Sequence, residues 1–106
     1  MFYKQILTYT ISDDDSRESF EELLDEMEFR EMPDQSTWAL PFKSGLTNLG
    51  VVMRIKEWSR RDDVLISKSD FVQIFRATPV KVAENDNRAG IDSRKLVYNS
   101  ETKGLN

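Results

Sequence analysis

Apolar and polar positions alternate from Tyr3 to Ile11: Leu7, Tyr9 and Ile11 lie on one side, and Ile6, Thr8 and Thr10 on the other. A period of two in a stretch rich in Tyr, Ile, Leu and Thr predicts a strand covered on at least one face. Ser12 to Ser16 breaks the pattern with helix-start chemistry. Asp13, Asp14, Asp15 or Ser16 can cap a following helix, whose dipole favours acids in its first turn. Phe20, Leu23, Leu24 and Met27 then recur at i, i+3, i+4 and i+7, one stripe of an amphipathic helix from about Asp15 to Glu28. Glu18, Glu21, Glu22 and Asp25 fall on its wet side.

Phe29 to Met32 reads as a short strand stopped by Pro33 and Asp34. Ser36 to Phe42 reads as a second main strand, with Pro41 marking an edge position or a bulge near its end. Lys43, Ser44 and Gly45 turn the chain, and Ser44 or Thr47 caps a second helix from about Leu46 to Arg60. Leu49, Val52 and Met53 form one stripe and Val51, Ile55 and Trp58 an adjacent one. So wide an apolar arc implies deep burial or a surface that meets a partner. Val64–Ser67 and Phe71–Ala77 read as one bent strand or two. Beyond Pro79 the chain turns polar. Glu84 to Gly90 is turn-like, Arg94 to Asn99 reads as a short strand, and Ser100 to Asn106 as a frayed end.

The order β-α-β-α-β(β) with short connections predicts an α+β fold: a ferredoxin-like sandwich, an antiparallel sheet with two helices on one face. Residues 1–80 form the expected domain, and 81–106 a C-terminal arm or tail that is either a flexible end or a strand added to a second protomer. Both tryptophans and the phenylalanines precede Arg76, which puts the expected core there.

Composition narrows the chemistry. The chain has 106 residues, 39% hydrophobic and 32% charged, which suits one globular domain. A net charge of −4 gives no general prior for tight nucleic-acid binding, although a local basic patch remains open. With no cysteine and no histidine, disulfides, thiolate nucleophiles, imidazole bases and most zinc sites are excluded. Four glycines and the absence of a Gly-rich phosphate loop argue against a nucleotide cradle. No apolar run approaches the roughly 20 residues of a membrane span, and the N-terminus begins a strand pattern at once, so a cytoplasmic protein is expected.

Two clusters carry candidate chemistry. Asp13, Asp14 and Asp15 can hold Mg²⁺ or Mn²⁺ through oxygen ligands and so activate water for phosphodiester cleavage, with Asp13 the first metal candidate. The competing role is helix capping, since adjacent carboxylates point in different directions. Arg54, Lys56, Arg60 and Arg61 can contact phosphates, or can be a solvated helix face with cations at its C-terminal end. Trp38 and Trp58 either pack in the core or stand out as binding hot spots. The candidate nucleic-acid or partner-binding set is therefore Arg54, Arg60, Arg61 and Trp58.

The stretch Leu7-Thr-Tyr-Thr-Ile-Ser-Asp-Asp resembles the first strand of CRISPR-associated Cas2 proteins. Phe29 to Leu40, ending Gln35-Ser-Thr-Trp-Ala-Leu, resembles that family's second hairpin, and Asp63-Val-Leu-Ile its late strand. The GhoS-type antitoxin shares this layout, with an aromatic-Ala-apolar strand where this chain has Trp38-Ala39-Leu40. The resemblance covers about residues 3–77. It implies a homodimer paired through its sheets, with exchanged C-terminal strands, and Phe71–Phe75 and the arm Arg94–Asn99 as parts of that interface. It also implies a metal-binding aspartate at the end of the first strand, where this chain has Thr10. A neutral hydroxyl supplies no charge to Mg²⁺. The resulting expectation is a Cas2-like regulatory protein of an antitoxin, phage or defence system, without catalysis or cofactor, that binds a protein or RNA partner. The alternative is a metal-dependent endoribonuclease of the GhoS or Cas2 kind, using Asp13, Asp14 or Asp15.

Overall fold

The computed structural model describes residues 3–34, 36–78 and 90–106. In chain order its elements are β1 (Tyr3–Thr10), α1 (Asp14–Glu26), β2 (Arg30–Glu31), β3 (Thr37–Pro41), α2 (Asn48–Ser59), β4 (Phe71–Thr78), β5 (Gly90–Asn99) and β6 (Gly104–Leu105). The strands make one six-stranded sheet in the order β2-β3-β1-β4-β5-β6, and every neighbouring pair is antiparallel. The fold is thus α+β, with a sheet compatible with a ferredoxin-like sandwich but extended at one edge. Among the described residues no helix is long and apolar enough to cross a membrane. The turn-like stretch expected at Glu84–Gly90, and the start of the tail at Lys81, lie largely outside the described residues.

The alternation in β1 sorts side chains as its pattern requires. Leu7 and Ile11 are buried, and Tyr9 packs against the core. Registers carry this face across the sheet: Leu7 lies opposite Trp38 and Ile74, and Tyr9 opposite Val72, itself paired with Leu96. Trp38, Ile74, Val72 and Leu96 are all buried. Both helices cover this face. Phe20 of α1 stacks edge-on to Tyr9 and against Trp58 of α2, with centroid distances of 4.9 Å in each case. The Trp58 indole N–H donates to Ser19 Oγ at 2.9 Å, tying the two helices together. Each fully buried side chain of this size contributes on the order of 1.5–3 kcal/mol.

Helix boundaries follow from caps. Asp13 is extended, and its carboxylate accepts the Ser16 N–H at 3.0 Å, so α1 starts directly after it. The helix ends before the predicted Glu28 because Glu28 turns left-handed at φ 69°. The Phe29 N–H then closes back on the Leu24 carbonyl at 2.9 Å, a Schellman-type stop made without glycine. Thr47 caps α2 by accepting the Gly50 N–H at 2.9 Å, and Lys4 donates to the carbonyls of Ser44 and Leu46, pinning the entry loop. The register shift expected near Pro41 falls opposite it, between Tyr3 and Gln5.

Three expectations differ from the structure. Val64–Ser67 is not a strand. Its backbone donors find partners other than a ladder: the Val64 N–H the Arg61 carbonyl at 3.1 Å, the Leu65 N–H Ser16 Oγ at 2.8 Å, and the Ser67 N–H Asp70 at 3.0 Å. The core does not stop before Arg76, because Leu96 and Leu105 are fully buried in it. Nor is Ser100–Asn106 frayed. Beyond a turn with Lys103 at φ 53°, β6 pairs with Tyr98 and Asn99, and the Leu105 N–H donates to Ser59 Oγ at 2.8 Å.

Candidate functional site

The end of β1 is where sequence reasoning placed its chemistry. Thr10 pairs with Phe71 and is exposed on the sheet face away from the helices. Asp13 is committed to capping α1. Asp14 pairs with Arg17 at 2.7 Å, and Asp15 is exposed in the first turn. Successive positions on a helix start fan the three carboxylates apart. Among the described residues no three acidic groups converge closely enough to hold a metal ion. The donor set therefore does not fit a divalent cation at this strand end.

A different acid sits at that end of the sheet. Asp70 is 1% exposed, and its carboxylate accepts the Ser12 N–H at 3.1 Å and the Ser67 N–H at 3.0 Å. It locks the connector after α2 onto the turn after β1. Its bonds are structural, and the sequence reading, which took Val64–Ser67 and Phe71–Ala77 as one bent strand or two, did not single it out. Nearby, Tyr9 donates to Glu21 at 2.8 Å. Burial, reinforced by the Glu21 carboxylate, holds this phenol well above its ordinary range.

The basic cluster disperses. Trp58 is core, at 3% exposure. Arg60 donates to Asn106 at 3.1 Å, and Arg61 makes a two-pronged pair with Asp63 at 2.7 and 3.0 Å. The hydrogen bonds of that pair raise the Arg61 pKa and lower that of Asp63. Arg54 is exposed and makes no ion pair or hydrogen bond with a described residue.

The structure instead brings together two arginines that were not singled out. Arg76 on β4 and Arg94 on β5 line a cavity of about 240 Å³ with Gln5, Asn48, Leu49 and Val52. Both arginines are exposed, and neither pairs with a described residue. The signal was in the alternation: Arg76 continues the inward series Val72, Ile74, and Arg94 precedes Leu96 by two. A larger cavity of about 730 Å³, walled by Phe29, Pro41 and Phe42, opens beside the β2 edge.

The sheet face away from the helices carries Ile6, opposite Phe75, and Phe71, opposite Val97. Phe75 and Val97 are 37% and 45% exposed, and the Lys95 ammonium stands 4.2 Å over the Phe71 ring. On α2, Leu49 and Met53 are exposed, so part of its wide apolar arc does face solvent. Comparison with protein-family models, curated proteins and solved structures returns no match.

Proposed function

We propose that this chain is a small Cas2-like regulatory protein, acting by binding rather than by catalysis, as a cytoplasmic homodimer with a ferredoxin-like core. The observation that carries the reading is the end of β1. Thr10 stands where the resemblance calls for a metal-binding aspartate, and the nearest acid, Asp13, is bonded into the α1 cap. The uncovered sheet face supports the dimer. Ile6, Phe71, Phe75 and Val97 are apolar side chains on a surface that a second copy would bury. The partner is a protein or RNA of an antitoxin, phage or defence system.

Two measurements test this. Purified protein is incubated with single-stranded RNA and double-stranded DNA in Mn²⁺, Mg²⁺ or EDTA. The expected result is no metal-dependent cleavage. Cleavage abolished by the Asp13→Ala, Asp14→Ala, Asp15→Ala triple variant would overturn the binding reading in favour of a metal-dependent endoribonuclease. Light scattering should give twice the 12.4 kDa chain mass. A Phe75→Glu variant should give the monomer, because it places a charge in the face to be buried.

A further inference from the structure

The cavity between the start of α2 and the β4–β5 pair is rich in donors. Arg76 lies opposite Gln5 in the sheet, and Arg94 lies opposite Ile74, so the two arginines occupy diagonal positions on the same face. Diagonal neighbours of this kind sit roughly 7–8 Å apart, within joint reach of two long side chains. Each guanidinium offers a planar fork of donors suited to a tetrahedral oxyanion. Among the residues whose side chains are described none takes either fork, and Asp92 lies directly opposite Arg76 in the ladder.

The helix start adds to this. The first turn of α2 holds no acidic residue, in contrast to Asp14 and Asp15 on α1. Thr47 takes the Gly50 N–H through its hydroxyl and the Val51 N–H through its carbonyl. The N–H groups of Asn48 and Leu49, both cavity residues, remain as donors at the positive end of the helix dipole. Gln5 completes the inner wall. It is 1% exposed and held to Asn48 Oδ1 by its amide N–H at 2.6 Å, while its Oε1 has no hydrogen-bond partner. That oxygen is an acceptor, as the oxygens of a phosphate are, so the contacts to an anion fall to the guanidinium groups and the helix N–H groups.

We propose that this cavity binds a phosphate monoester. Two guanidinium forks present two planar sets of donors, which suit the three terminal oxygens of a phosphate monoester better than a carboxylate or the two free oxygens of a phosphodiester. The volume of about 240 Å³ lies below the roughly 300–1,000 Å³ of pockets for drug-sized ligands. It admits a phosphate and a few attached atoms, not a dinucleotide. The carrier is either a small phosphorylated metabolite or the 5′-phosphorylated end of an RNA. The site stands apart from the sheet face discussed above, and its test does not depend on the dimer or on nuclease activity.

The probes are glycerol 3-phosphate, and one RNA oligonucleotide carrying either a 5′-phosphate or a 5′-hydroxyl. Binding is read by calorimetry and by amide NMR shifts. Saturable binding of glycerol 3-phosphate, with shifts at Asn48 and Leu49, is expected. Arg76→Gln and Arg94→Gln should each weaken it about tenfold or more, the loss of one charge-assisted pair. Both arginines are exposed, and unchanged thermal melts will show that the variants fold. Lys68→Gln, an exposed cation outside the cavity, should leave affinity unchanged. Preference for the 5′-phosphorylated over the 5′-hydroxyl RNA, lost in the same two variants, would assign the site to RNA ends. Absence of saturable binding by either phosphorylated probe overturns the proposal, and so does equal weakening by Lys68→Gln.

Discussion

Leu105→Ala tests whether the last residues belong to the core. Leu105 is next to the final residue, yet it is fully buried. Three interactions hold it: pairing of β6 with Tyr98 and Asn99, the Asn106 backbone bonded to Val97 in both directions at 3.0 and 3.1 Å, and its own N–H on Ser59 Oγ at 2.8 Å. Removing three buried carbons at about 0.8 kcal/mol each costs roughly 2.4 kcal/mol in transfer free energy. A residual cavity adds to this, but a chain end relaxes more easily than a helix interior, so about 3 kcal/mol is expected, in the lower half of the Leu→Ala range. At about 4–5 °C per kcal/mol for a domain of this size, the melting midpoint should fall by roughly 12–15 °C. Urea unfolding followed by circular dichroism and tryptophan fluorescence measures the free energy directly. Ser59→Ala strands the buried Leu105 N–H and should cost about 1–2 kcal/mol. The double variant should cost less than the sum, because both changes undock the same segment. A Leu105→Ala cost below about 0.5 kcal/mol, typical of surface positions, would refute the docking of β6.

Three further outcomes follow from named contacts. Asp70→Ala removes the acceptor for two backbone N–H groups; water can replace part of it at exposed Ser12 and Ser67, so a loss of about 2–3 kcal/mol is expected in urea melts, and an unchanged midpoint would refute the lock. Glu28→Gly relieves a left-handed backbone and should raise stability by about 0.5–1 kcal/mol after the entropy cost of glycine; a melting midpoint lower than that of the parent would refute the strain argument. The Tyr9 pKa is raised on folding, so its contribution is fully present below the unfolded value of about 10 and is lost as pH rises from there through the folded value. Unfolding free energy should therefore fall above about pH 10, and less steeply in Tyr9→Phe; equal slopes would show that the phenol is not the cause.

What the sequence made legible was local. The alternation of β1, the Phe20-Leu23-Leu24-Met27 stripe and the Thr47 cap each depend on residues within a turn or two of one another, and each stands where its pattern puts it. The misses are long-range. Val64–Ser67 has a strand-like composition, but its donors find Ser16, 49 positions from Leu65, and Asp70. Leu105 stands among Lys103, Gly104 and Asn106, where no periodicity can mark it, and its burial comes from the ladder to Tyr98 and Asn99 together with docking on Ser59 of α2. Glu28 ends α1 without the glycine that normally signals a left-handed stop.

The same distinction explains why the site moved. Three consecutive aspartates attract notice, yet consecutive residues at a helix start cannot converge, and Asp13 and Asp14 are consumed by local bonds to Ser16 and Arg17. Arg76 and Arg94 are 18 positions apart and unremarkable in the text of the chain. Antiparallel pairing of β4 with β5 brings them to one face, and the sheet sets that face against the start of α2. Convergence of charge is a property of register, and register is fixed by which face is buried. An inward strand position normally holds an apolar residue. Two cations at inward positions, on adjacent strands and without a described partner, therefore carry more information than three acids in a capping turn.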